Sequence, residues 1–222
     1  MPRSTIAAAL LCLASTIGHA QADLISLRLW CELEPMVQEN EEYPLSTEAA
    51  RRRGLEEARL ILSAMIYGFR FRYTPADRLR QIEEEFTLIP VAEIPWGDSN
   101  MRVADAYVED SLLFLKAQYE LQEFQFARRR AWASNSVQAG SGVGSHSVFT
   151  SPSSEGKRQA FEEAMKNAVR EALRPVHFNK PREVTGEILL WSEPQTIIQS
   201  GAYTTRLDVK LRIKEIRPYS LF

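Results

Sequence analysis

The chain has 222 residues, with 27 lysines and arginines against 29 aspartates and glutamates and a formal net charge of −2. A near-neutral mixture of signs is not the pattern of a nucleic-acid-binding protein, so we predict no nucleic acid partner. The length suits one domain with a sizeable core, or two small domains.

The first residues have the pattern of a secretory signal peptide. A short basic region, MPR, precedes an apolar run of about a dozen residues and then the small residues of GHAQA. The run is shorter than the ~20 residues that cross a bilayer as a helix. We therefore predict a leader at residues 1–20 and a periplasmic or secreted mature chain without a transmembrane anchor. Cleavage before Gln21 and cleavage before Asp23 both fit the small-x-small rule, and the first is preferred.

The two cysteines bear on anchoring and on disulfides. Cys12 lies in the leader, and the bulky Leu11 before it argues against a lipoprotein signal. Cys31 is then the one cysteine of the mature sequence, and we expect a buried, inert thiol. Because no pair is available for a disulfide, the fold must depend on packing.

The first half of the chain reads as a helix followed by antiparallel strands. Apolar residues recur at helical spacing from Ser46 to Gly68, with Ser46 or Thr47 as the N-cap. Alternation then predicts strands over 69–73, 86–94, 101–108 and 112–122, the last with one solvated face. We read 77–85 as a short helical excursion and 123–133 as a short helix or a frayed end.

The second half begins with a segment of a different composition. Residues 135–155 are rich in serine and glycine and have almost no apolar periodicity, which is typical of a flexible linker or loop. Beyond it, Ser153 and Ser154 cap a helix that should run to about Leu173, with Pro175 as its stop. Strands follow over 184–191, 196–199 and 203–216, and the last has a basic solvated face.

An eight-residue echo links the two halves. Arg51–Ala58 reads RRRGLEEA and Lys157–Ala164 reads KRQAFEEA, each in the helix that precedes a set of strands. The sequence thus predicts an α+β fold of two helix-then-antiparallel-sheet units, 21–134 and 156–222, joined by the Ser/Gly-rich loop 135–155. The echo suggests a degenerate duplication, with its charged residues on the solvated faces of two matching helices.

No set of residues in the sequence converges on a known chemistry. His146 and His177 have neither a histidine four residues away nor a nearby cysteine, so neither indicates a metal site or a catalytic triad. The paired glutamates of the two echo segments diverge by about 100° around their helices, which fits surface ion pairs better than acid–base catalysis. We predict no catalytic residue, no cofactor and no metal.

Two aromatic regions are candidates for a surface that binds a partner. Trp96 stands in the turn AEIPWGDSN, where it either plugs a gap in the core or anchors a partner. The arginine cluster at 128–130 has aromatic neighbours and no adjacent acidic residue. The candidate interaction surface is Trp96, Asp98, Arg128, Arg129, Arg130 and Trp132.

Tyr67–Phe86, YGFRFRYTPADRLRQIEEEF, and the following Ala92–Asn100, AEIPWGDSN, resemble a family of uncharacterised exported proteins from spirochaete-type bacteria. The resemblance covers Leu55 to about Asn135. It implies export and a bacterial origin, and it adds no catalytic residue because the family has no known activity.

We therefore expect an exported, soluble, non-catalytic protein of the cell envelope that acts by binding an unidentified envelope protein. The alternative is a periplasmic small-ligand binder or hydrolase with a site assembled from distant carboxylates such as Glu93, Asp98, Asp105 and Glu187. Three or more of these carboxylates in one concave pocket would favour the alternative. An exposed apolar patch around Trp96 or Trp132 would favour protein binding.

Overall fold

The computed structural model describes residues 24–37, 43–151, 153–174 and 180–219. The predicted leader, both cleavage positions, Pro175 and His177 lie outside these residues. The helices are α1 (Thr47–Ile66), α2 (Glu123–Trp132) and α3 (Ser153–Leu173). The strands are β1 (Leu24–Glu32), β2 (Phe69–Thr74), β3 (Glu85–Pro90), β4 (Met101–Glu109), β5 (Leu112–Glu120), β6 (Gln138–Ser147), β7 (Glu183–Leu190), β8 (Gln195–Gln199) and β9 (Ala202–Arg217).

The predicted α+β class is confirmed. Local sequence patterns also predicted the type and position of several elements correctly. Helix α1 begins where its cap predicts, because the Ser46 hydroxyl accepts a hydrogen bond from the Ala49 N–H at 3.2 Å. Strand β5 buries alternate residues and leaves the others partly or fully exposed, as its alternation predicts. Segment 123–132 is a helix.

The strands form two antiparallel sheets. The smaller has the order β1-β5-β4, and the larger has the order β3-β2-β7-β9-β6, with β8 paired to the first part of β9. Strand β2 lies beside β7, with Phe69 opposite Ile188 and Tyr73 opposite Val184. The two predicted units therefore share one sheet. This topology does not show the duplication, which stays a hypothesis.

The prediction of a flexible linker is wrong for the centre of 135–155. Residues Gln138–Ser147 form β6, which pairs with β9 along its whole length. Its glycines face α3: a Cβ on Gly142 would lie 2.0 Å from the carbonyl oxygen of Ala164, and one on Gly144 would lie 2.2 Å from the amide nitrogen of Ala164. Helix α3 presents a row of buried alanines to them, Ala160, Ala164, Ala168 and Ala172. The glycines therefore allow the backbones of β6 and α3 to approach closely. They mark a site where a side chain would clash, and not a flexible segment.

Two other segments differ from the sequence prediction. Residues 24–32, for which no strand was predicted, form β1 with its odd-numbered residues buried. Segment 77–85 is not a helix: Asp77 and Ile82 form an antiparallel bridge that closes a turn. The Asp77 carboxylate accepts the N–H of Leu79 at 3.0 Å, and this local bond competes with helix formation.

The main core lies between the helices and the inner faces of both sheets. Helix α1 packs on β1 and β5, where a Cβ on Gly54 would lie 3.1 Å from the sulfur of Cys31. Helix α3 packs on β6 and β9. Helix α1 therefore covers strands of the smaller sheet and α3 covers strands of the larger one, and the middle of α1 lines a common pocket with the N-terminal half of α3.

Candidate binding cleft

A cleft opens where the free edge of β1 faces the connection between β7 and β8. Its volume is about 510 Å³, and it is also lined by residues 206–208 of β9. A pocket of about 220 Å³ adjoins it between α1 and α3, lined by apolar residues such as Leu60 and Phe161 together with charged side chains of both helices. The residues that line both are Glu57, Ile61, Lys157, Pro194 and Thr196. We call the two volumes together the Lys157 cleft.

A buried ion pair forms the wall that the two volumes share. The side chain of Lys157 is only 4% exposed. Its ammonium donates to Glu57 Oε2 at 2.6 Å and to the carbonyl oxygen of Trp30 at 2.5 Å, and it lies 4.5 Å from the centre of the Trp30 indole. These partners offset the cost of removing the charge from water. Glu57 belongs to the first echo segment and Lys157 to the second, so the echo segments meet in space.

Side chains form hydrogen bonds with the backbone of β1 along the edge that faces away from β5. The Arg28 N–H donates to a carboxylate oxygen of Glu193 at 2.5 Å, and the Trp30 carbonyl accepts from Lys157. The Trp30 indole N–H donates to the carbonyl oxygen of Thr196 at 2.9 Å. Backbone groups that a neighbouring strand would otherwise pair are thus satisfied by side chains that can change partner.

A second buried polar cluster lies near Lys157. The Tyr203 hydroxyl donates to Glu32 at 2.6 Å and accepts the Ser153 N–H at 2.7 Å. Burial raises the pKa of the Glu32 carboxyl, against the opposing effect of the Tyr203 hydrogen bond. Cys31 is buried, as the sequence predicts, and this burial raises the pKa of its thiol to about 11, which disfavours the reactive thiolate at neutral pH.

The larger volume of the cleft is lined by equal numbers of cations and anions, namely Arg28, Lys157 and Arg206 with Glu57, Glu193 and Asp208. Arg28 lies 3.8 Å from Glu193, and Asp208 accepts from the Ser192 hydroxyl at 3.0 Å. Such a balance gives no electrostatic preference for a strongly charged ligand.

Of the three arginines in the predicted cluster, two bind backbone carbonyl groups and one is exposed. Arg128 donates to the carbonyl oxygen of Tyr67 at 2.8 Å. Arg129 donates to the carbonyl oxygens of Met65 at 2.7 Å and Trp191 at 2.9 Å. Cations on the last carbonyls of a helix stabilise its C-terminus, so these two arginines hold the end of α1. Arg130 is exposed.

The prediction that Trp132 forms part of a surface is wrong. Its side chain is 1% exposed and packs with Val137 and Leu189. The Arg212 guanidinium lies 4.2 Å from the centre of its ring. Helix α2 ends on the outer face of the larger sheet, and Trp132 is the side chain that seals this contact.

Trp96 and Asp98 share a turn but differ in environment. Trp96 is 56% exposed, with the Arg52 guanidinium 6.0 Å from its ring centre. Asp98 accepts the Asn100 N–H at 2.9 Å and the Tyr119 hydroxyl at 3.1 Å, which shapes the turn. Neither residue lines the Lys157 cleft. A partner-binding role for Trp96 stays a prediction.

The four carboxylates of the alternative site do not line the Lys157 cleft. Glu93 lies 3.8 Å from Arg59, and Glu187 accepts from Lys214 at 2.6 Å. Asp105 is exposed on β4. Within the described ranges, no group of three or more histidine, cysteine or acidic side chains is placed to hold a metal ion.

Sequence reasoning missed the residues that build the cleft. It placed Glu57 and Lys157 on solvated helix faces, because charged residues in a helix are usually exposed. The echo was the available signal that these two segments are related, and it did not indicate that they touch.

These features define an α+β protein with an open cleft between two antiparallel sheets. A sequence profile of a family of uncharacterised proteins matches residues 14–219, and the chain belongs to this family. A relative from Treponema pallidum (strain Nichols), described as an uncharacterized protein, is 26% identical over 211 residues, which are 94% of this chain and 86% of the relative. No solved structure matches. The predicted kinship with uncharacterised spirochaete proteins is confirmed, and export stays a prediction.

No helix in the described part of the chain combines the length and the apolar character needed to cross a membrane.

Proposed function

We propose that the protein is exported to the cell envelope and acts there by binding a protein partner, without catalysis. The leader pattern of residues 1–20 supports export. The binding role is supported by the exposed apolar side chains of the strand beside the Lys157 cleft. Strand β8, QTIIQ, has no charge and no proline, and it exposes Ile197 by 55% and Ile198 by 44%. An apolar edge strand without charges or proline is a template for association with another chain.

Site-directed photocrosslinking in the native envelope tests the binding role. A photoreactive amino acid replaces Ile197, which lines the cleft, and in a control it replaces Glu171, an exposed residue of α3 outside the cleft. We expect a reproducible crosslinked protein at position 197 and none at position 171. Equal labelling at both positions, or no product at 197, would contradict the proposal.

Export is tested separately by fractionation of cells that produce the full chain or a chain without residues 2–20. We expect the full chain to be processed outside the cytoplasm, with Gln21 or Asp23 at its new N-terminus. An unprocessed full chain that remains in the cytoplasm would show that residues 1–20 are not an export signal.

The volume of the cleft supports a second candidate function, the binding of a small ligand. A volume of about 510 Å³ is within the range of small-molecule sites. A thermal-shift screen of neutral and zwitterionic small molecules tests this candidate. A rise in Tm that is lost when Glu57→Gln weakens the ion pair of the wall would favour a small ligand over a protein.

A further inference from the structure

We infer that the Lys157 cleft takes an extended polypeptide segment of the partner, which adds to the smaller sheet as a strand beside β1. This inference rests on the proposed protein-binding function. It goes further, because it names the site, the binding mode and the class of ligand: an uncharged, extended segment with one apolar anchor residue.

The backbone of β1 already points into the cleft. Arg28 lies opposite Lys116 of β5 and Trp30 lies opposite Phe114. The Arg28 N–H and the Trp30 carbonyl nevertheless bond to Glu193 and Lys157, on the other side of the strand. Because alternate residues of a strand direct their peptide groups to the same side, a strand added beside β1 would replace Glu193 as the partner of the Arg28 N–H and Lys157 as the partner of the Trp30 carbonyl.

The adjoining pocket fits one apolar side chain of such a strand. Alternate side chains of an added strand point to the inner face of the sheet, where α1 packs. There the cleft opens into the volume of about 220 Å³ between the two helices, whose apolar wall includes Leu60, Ile61 and Phe161. An anchor residue in this pocket would supply affinity and select the register of the segment.

The charges and the other sheet edge also favour this site. Three cations and three anions line the larger volume, so a neutral peptide backbone suits it better than a polyanion or a polycation. Strand β4, at the opposite edge of the same sheet, has a register shift between Val103 and Asp105. A bulge of this kind blunts an edge against pairing.

The test selects ligands from a phage-displayed library of random peptides of about twelve residues on the purified full-length protein. Selected peptides are then titrated against Arg28→Pro and its matched control Arg28→Ala. The proline removes the N–H that faces the cleft and leaves the pairing with β5 intact, whereas the alanine keeps that N–H. We expect Arg28→Pro to weaken binding about tenfold or more relative to Arg28→Ala.

A second pair of variants tests the anchor pocket. Leu60→Trp fills the pocket, and Arg51→Trp places the same side chain on an exposed position of the same helix, away from the cleft. We expect Leu60→Trp alone to weaken binding. An N-methyl scan of the best peptide should lose affinity at every second position, which is the signature of a paired strand. The unfolding temperature of each variant shows whether it is folded.

The outcomes separate this inference from the proposed function. Peptides that bind all four variants equally, or that show no alternation in the N-methyl scan, would overturn the cleft site, and a crosslink at position 197 would still stand for protein binding. A library that yields no binder also overturns the inference. Binding that is lost with Arg28→Pro and Leu60→Trp, and retained in both controls, would confirm it.

Discussion

At the residue scale, Lys157 is a cation that the fold has taken almost wholly out of water. It is compensated by Glu57, the Trp30 carbonyl and the Trp30 ring. We expect Lys157→Ala to lower the free energy of unfolding by about 3 kcal/mol, because it leaves a half-buried carboxylate and a backbone carbonyl without their partner. The control Arg158→Ala removes exposed ion pairs on the same helix and should cost under about 1 kcal/mol. Urea unfolding that gives both variants the same loss would contradict a buried pair.

The raised pKa of the Glu32 carboxyl predicts how the stability of the protein depends on pH. Burial raises its pKa above the ordinary value of 4.5, so the folded protein holds this proton at a pH where the unfolded chain has released it. The contribution of Glu32 to stability therefore falls as the pH rises from 4.5 through the raised folded pKa. Glu32→Gln removes this titration and keeps an acceptor for Tyr203.

We expect Glu32→Gln to be more stable than the natural chain at pH 7, with a difference that shrinks as the pH falls through that window. Unfolding free energies of both proteins across the pH range measure this. A variant that is less stable at pH 7 would show that the ionised carboxylate is favoured in the fold.

At the element scale, β6 packs closely against α3 through its glycines. We expect Gly142→Ala to cost about 3 kcal/mol, since a Cβ there would lie 2.0 Å from the backbone of α3 and the elements would have to separate. Ser141→Ala, on the exposed face of the same strand, should change stability by less than about 0.5 kcal/mol. Thermal unfolding distinguishes the two, and a neutral Gly142→Ala would show that the strand is not packed on the helix.

The same contact shows what a sequence can and cannot predict. Helices α1 and α3 and strands β5 and β9 follow from periods of 3.6 and 2, because those periods arise within each segment. The role of the β6 glycines depends on an alanine row that begins more than a dozen residues later, so composition alone indicated flexibility. The burial of Lys157 depends on Glu57, 100 residues away, and no local pattern records that contact.

At the scale of the whole molecule, the larger sheet combines strands from both halves of the chain. Because β2 pairs with β7, a fragment that ends at residue 134 loses the neighbour that covers one edge of β2. We expect fragments 24–134 and 156–219 to lack cooperative thermal unfolding on their own, whereas the full chain unfolds in one transition. Circular dichroism during heating measures this, and two fragments that each unfold cooperatively would restore the division into two units.

The cleft is also a property of the whole molecule, because β1, the β7–β8 connection and both echo helices must assemble before it exists. Of the two predicted aromatic sites, Trp96 is exposed and Trp132 is buried. The proposed binding role depends on the exposed strand β8, and the inferred peptide site depends on the edge of β1, a strand that the sequence pattern did not reveal.

Binding in the Lys157 cleft is tested most directly by amide hydrogen exchange of the protein with and without a selected peptide or a crosslinked partner. We expect the ligand to slow exchange at Arg28 and Trp30, whose peptide groups face the cleft, and to leave the outer edge of β4 unchanged. Protection that appears on β4 or around Trp96, with Arg28 and Trp30 unaffected, would contradict binding in the Lys157 cleft.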